Sequence, residues 1–140
     1  MVKIILIVIA VLIIGFLILA KIARTKMKNT PLVDDHENVL TLTDKNFQLK
    51  TKNKLVLVDF WASWCGPCRI MAPILNDVSA SLNGNSYVGK VDIEKFQGLA
   101  QKFKVQSIPT LILFKNGKEI NRFVGIKSKD YLLKEMAKAE

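Results

Sequence analysis

Hydrophobic positions fall into two unlike regimes along this chain. From Ile4 to Ala20 all 17 residues are apolar, IILIVIAVLIIGFLILA, with Lys3 before the run and Lys21 after it. No polar stripe interrupts it, so it cannot form an amphipathic surface helix. As a helix it covers about 25 Å, at a rise of about 1.5 Å per residue. Adding Met1, Val2, Ile22 and Ala23, with the flanking lysines reaching the headgroups, spans a ~30 Å hydrocarbon core. A cleaved signal peptide has a shorter apolar stretch of about 7–15 residues and small residues at its cleavage site. Here the run is longer and basic residues follow it. The pattern predicts an uncleaved transmembrane anchor over residues 1–23.

Beyond the anchor the pattern becomes short and alternating. Residues 24–36 read as a basic juxtamembrane segment and polar linker that contains Pro31, Asp34, Asp35 and His36, none of them with an assigned role. Residues 37–140 read as one domain, long enough to build one core. NVLTL is a short strand candidate, and Thr43 can cap a helix over Asp44 to Lys50. LVLVDFW, Leu55 to Trp61, has the continuous β-rich character of a strand covered on both faces. A helix is expected from Cys65 to Leu82 with Pro73 inside it, kinking rather than ending it. YVGKVDI is a second buried strand, and Phe96 to Phe103 has helical spacing. TLILFKNGKEINRFV predicts a hairpin turning at Asn116-Gly117. Ser128 caps a last helix over Lys129 to Ala139. Strands separated by helices, then a hairpin and a helix, predict an α/β fold with a central mixed sheet.

Charge sharpens this division. The chain carries 21 basic and 12 acidic residues, a formal net charge of +9. Five of those positive charges are Lys3, Lys21, Arg24, Lys26 and Lys28, with no acidic residue before Asp34. The rest is only mildly basic, and the basic cluster lacks aromatic interleaving, so no nucleic-acid partner is expected. The positive-inside rule places the domain on the cytoplasmic side, with the extracytoplasmic side as the alternative.

The chemistry concentrates in WCGPC, which holds both cysteines, Cys65 and Cys68, where a buried strand meets a helix. A structural zinc site needs about four ligands, more than two cysteines and one histidine supply. A disulfide of this spacing closes almost no loop and so stabilises little. A redox dithiol fits best, because a helix N-terminus favours the thiolate that attacks disulfides. No glycine-rich nucleotide loop or other cofactor motif is present in the sequence, so the dithiol itself is the expected redox group. Asp59 is unexpected inside so apolar a strand. A buried carboxyl has a raised pKa and can take up a proton, while a strand-edge aspartate facing solvent is the plain alternative.

VDFWASWCGPC, followed by SIPT and LFKNGKEINRFVG, resembles the thioredoxin family, from about Val39 to Glu140. The resemblance implies a thioredoxin fold and protein-disulfide reduction. It implies Cys65 as the exposed attacking cysteine and Cys68 as the buried resolving one. Asp59 would accept the proton of Cys68, with Lys90 on the neighbouring strand as its partner. Trp61 and Trp64 would flank the site, Trp64 on the substrate side beside Gly66 and Pro67. Ile108 and a cis Pro109 would face the dithiol and, with Gly125, dock the substrate backbone. Gly117 would serve the hairpin turn and Pro73 mark the helix kink. Gly66-Pro67 resembles the reducing members of the superfamily. Ser107 stands where a glycine is common, and the anchor is a second departure. The implied partners are disulfide-containing proteins, and a thioredoxin reductase or a transmembrane thiol-reducing relay as donor. A monomer is implied, as is the absence of a metal. A non-catalytic binding module on the same fold is the rival reading, as is an extracytoplasmic reductase serving cytochrome or envelope thiol maturation.

Overall fold

The computed structural model describes residues 1–28 and 31–139. Its first element is α1, Val2–Lys28. Within it lies the apolar span Val2–Thr25, whose most apolar 18-residue window has mean hydropathy 3.3, with none of that window buried. At about 1.5 Å per residue it is long enough to cross a membrane.

The remainder is built on strands β1 (Leu40–Thr41), β2 (Leu55–Trp61), β3 (Ser86–Asp92), β4 (Thr110–Lys115) and β5 (Lys118–Val124), in the sheet order β1-β3-β2-β4-β5. β3 runs parallel to both β1 and β2, and β4 runs antiparallel to β2 and β5, so the sheet is mixed. Between the strands lie α2 (Phe47–Thr51), α3 (Gly66–Ser81) and α4 (Gln97–Lys102), and α5 (Lys129–Ala137) follows the hairpin. Side-chain alternation in β2 sorts the two faces. Leu55 and Leu57 pack with Met71, Leu75 and Val78 of α3 and Leu132 and Met136 of α5. Val56, Val58 and Phe60 pack with Phe47 of α2 and Leu99 of α4. Both faces are therefore covered, which is why the strand reads as an unbroken apolar run.

Several element ends differ from the sequence pattern for local reasons. The helix expected from Asp44 begins at Phe47. Thr43 and Asn46 instead close a reciprocal turn: Thr43 N–H donates to Asn46 Oδ1 at 2.8 Å, and Asn46 N–H donates to Thr43 Oγ1 at 3.3 Å. NVLTL pairs over only Leu40 and Thr41. The hairpin turns where expected, with Asn116 and Gly117 both at positive φ, 54° and 76°. That is the geometry a two-residue turn requires. Beyond it β5 carries an irregularity, since Phe114 pairs Glu119 while Leu113 pairs Asn121. Ile120 is the extra residue of this bulge.

Candidate active site

Cys65 and Cys68 are joined by a disulfide at the N-terminus of α3. Cys65 is the N-cap of that helix, and its Sγ accepts a hydrogen bond from Cys68 N–H at 3.2 Å. Pro67 occupies the first turn, where its missing N–H costs nothing. Opening the disulfide would therefore leave a Cys65 thiol facing free helix N–H groups and the positive end of the helix dipole. Both favour the thiolate.

Exposure does not separate the two cysteines as expected. Cys65 is 4% exposed and Cys68 3%, and Trp61, Ile93 and Ile108 pack against them with Ala62. In the disulfide form position on the helix distinguishes them, not burial. Trp64 is 64% exposed beside Cys65, while Trp61 is partly covered. Pro73 lies inside α3.

The loop that carries Trp64 is braced. Cys65 N–H donates to Ala62 O at 3.1 Å. Arg69 donates to Ser63 O through Nη2 at 2.9 Å and Nε at 3.2 Å. Ser63 Oγ donates to Glu94 at 3.1 Å. Arg69 was not singled out by the sequence, although a cation four residues beyond Cys65 returns to the loop side of the helix start.

Ile108 packs against the cluster that holds the disulfide, and the Ile108–Pro109 peptide is cis. Gly125 N–H donates to Pro109 O at 2.9 Å, and Thr110 Oγ1 donates to Ser107 O at 2.7 Å. Gly125 has φ +80°, a conformation in which a side chain would be strained.

Asp59 is 1% exposed, on the α3 face of β2. Neither carboxylate oxygen has a hydrogen-bond partner among the described residues. Burial pushes this carboxyl up to about 7, against a downward pull from the Lys90 charge and with a smaller upward push from Asp35. Asp59 and Lys90 stand opposite each other in the parallel β2–β3 register. The Lys90 ammonium, however, is bonded to Asp35 at 2.5 Å and lies 4.4 Å above the centre of the Trp61 ring.

The arrangement agrees with comparisons to known proteins. The thioredoxin family model matches residues 38–138. The thioredoxin of Staphylococcus aureus strain Mu50 / ATCC 700699 is 39% identical over 100 residues, covering 71% of this chain and 96% of that protein. The thioredoxin of strain MW2 gives the same figures. Among solved structures, a mutant thioredoxin from Halobacterium salinarum NRC-1 superposes with TM-score 0.68 at 29% identity, over 76% of this chain and 94% of that one. With its mixed sheet and a Cys65–Cys68 disulfide at the start of α3, the chain belongs to the thioredoxin family of oxidoreductases.

Proposed function

We propose that the chain is a membrane-anchored protein-disulfide reductase. The observation that carries this reading is the Cys65–Cys68 disulfide at the N-cap of α3, with the buried carboxyl of Asp59 on the same side of the sheet. Once the pair is reduced, the Cys65 thiolate attacks one sulfur of a substrate disulfide. A Cys65–substrate disulfide forms, and the other substrate sulfur leaves as a thiolate. Cys68 then gives its proton to the Asp59 carboxylate and attacks Cys65 Sγ. This expels the second substrate sulfur and restores the Cys65–Cys68 disulfide. Two electrons pass to the substrate, and its two thiolates take up protons. A group titrating near 7 can both accept and release that proton around neutrality.

Substrate recognition falls to the rim of the disulfide. Trp64 offers an exposed aromatic face, with Gly66 and Pro67 next to it. Ile108, Pro109 and Gly125 form the opposite side, where backbone groups can pair with an extended substrate. The redox group is the chain's own dithiol, re-reduced by a thioredoxin reductase if the domain is cytoplasmic. An outward-facing domain would draw on a transmembrane thiol-reducing relay. The charge balance around α1 favours the cytoplasmic side.

The test is insulin reduction by the full chain in detergent micelles, with dithiothreitol as electron source. Turnover well above the dithiothreitol background is expected; a rate equal to that background would overturn the reading. The anchor has its own test. Membranes carrying the full chain are washed with alkaline carbonate, and the chain is expected to stay in the pellet. Removing residues 1–23 should release it to the supernatant. Full-length chain in the supernatant would refute the anchor.

A further inference from the structure

The polar segment between α1 and β1 reaches the catalytic side of the sheet. Asn76 of α3 holds it by both ends of its amide: His36 N–H donates to Asn76 Oδ1 at 2.8 Å, and Asn76 Nδ2 donates to Asp34 O at 2.8 Å. The residue between these two anchor points is Asp35. Its carboxylate takes the Lys90 ammonium at 2.5 Å, across 55 positions of sequence. The lysine side chain is 8% exposed and the aspartate 38%, so the pair sits at the edge of the buried region. Asp59, directly opposite Lys90 in the sheet, is left with no hydrogen-bond partner among the described residues.

We propose that Asp35 is a positioning residue of the dithiol site, holding the Lys90 ammonium off the Asp59 carboxyl so that this buried group stays without a contacting counter-ion. Lys90 has two carboxylates within its reach, one buried and one at the edge. The Asn76 clamp presents Asp35 at a fixed place, and the Trp61 ring supports the ammonium from the side. The charged groups acting on Asp59 are Lys90 of β3 and Asp35. α3 brings the cysteine pair to this face, β4 pairs Leu111 with Asp59, and α5 contributes Leu132 and Met136. Loss of the Asp35 charge frees Lys90 to serve Asp59. The carboxylate form then gains a counter-ion, and Asp59 holds its proton less tightly. Asp35 is joined to α1 by a short stretch of chain, so the connection to the anchor also supplies part of the catalytic electrostatics.

The role in catalysis rests on the proposed dithiol chemistry, but the test does not require turnover. The protonated-carboxyl infrared band of Asp59, identified as the band that Asp59→Asn removes, is followed against pH in the full chain in micelles. Asp35→Asn is expected to lower its midpoint by about one pH unit. Asp35→Glu should return it towards the wild-type value. A midpoint unchanged in Asp35→Asn overturns the inference, as does an Asp35→Glu midpoint equal to that of Asp35→Asn. A shifted midpoint in a chain that fails to reduce insulin would support this inference while refuting the proposed reaction.

Discussion

Cys65→Ser is expected to bring insulin reduction down to the dithiothreitol background, a loss of about 10³-fold or more. Serine keeps the size and the helix-capping capacity of the side chain, so α3 should still start at Gly66. What it cannot supply is a thiolate near neutral pH. Cys68→Ser is expected to lose turnover as well, but in a different way. Cys65 can still attack, and when the reduced variant is freed of dithiothreitol before it meets insulin, no thiol remains to resolve the mixed disulfide, which should persist. Non-reducing electrophoresis then shows a substrate adduct with Cys68→Ser and none with Cys65→Ser. The reverse pattern would exchange the roles of the two cysteines. This comparison matters because burial does not assign them: both are nearly inaccessible in the disulfide. The assignment rests on Cys65 occupying the N-cap, where the helix start favours a negative sulfur.

The fold was legible where a pattern reports burial directly. LVLVDFW reads as a two-faced strand because both faces of β2 are covered, by α3 and α5 on one side and α2 and α4 on the other. Asn116-Gly117 reads as a turn because two successive positive φ values restrict the residues that fit. The start of α2 was less legible. Thr43 reads as the cap of a helix from Asp44, and the reciprocal Thr43–Asn46 bonds that delay its start to Phe47 leave no pattern in the sequence. At the site, the motif around the cysteines is local and so could be read. The surroundings of Asp59 are not local. Asp35 lies in a polar stretch that looks like an ordinary linker, and its lysine partner is 55 positions away, beyond β1, α2, β2 and α3. Asn76 reads as one more polar residue on a helix. Neither has a periodicity or motif that signals a long-range contact, so their hydrogen bonds are visible only in the folded chain.

The pH dependence of stability offers a second large effect, carried by Asp59. Its carboxyl titrates at 3.8 when free and at about 7 in the fold, mainly because burial disfavours the charge. Between those values the unfolded chain has lost this proton while the native chain keeps it. The native state binds more protons there, so stability must fall as pH rises. The loss begins near pH 4, proceeds at about 1.4 kcal/mol per pH unit, and levels off above about pH 7. In total the charged carboxylate costs the fold on the order of 4 kcal/mol at alkaline pH. Asp59→Asn removes the titrating group and keeps the shape. Near pH 4 the variant should differ from the wild type by little more than the exchange of a buried acid for a buried amide. By about pH 9 it should be more stable by several kcal/mol relative to that offset. Urea unfolding of the oxidised chain in micelles, followed by tryptophan fluorescence at the two pH values, measures the difference. A stability gap independent of pH would mean that Asp59 ionises in the fold as freely as in water. If Asp59 takes the Cys68 proton as proposed, the same substitution should also slow insulin reduction. In the proposed reaction this cost in stability is the counterpart of proton transfer, and the pairing of a stabilised fold with slowed turnover in one variant would separate that use from a packing role.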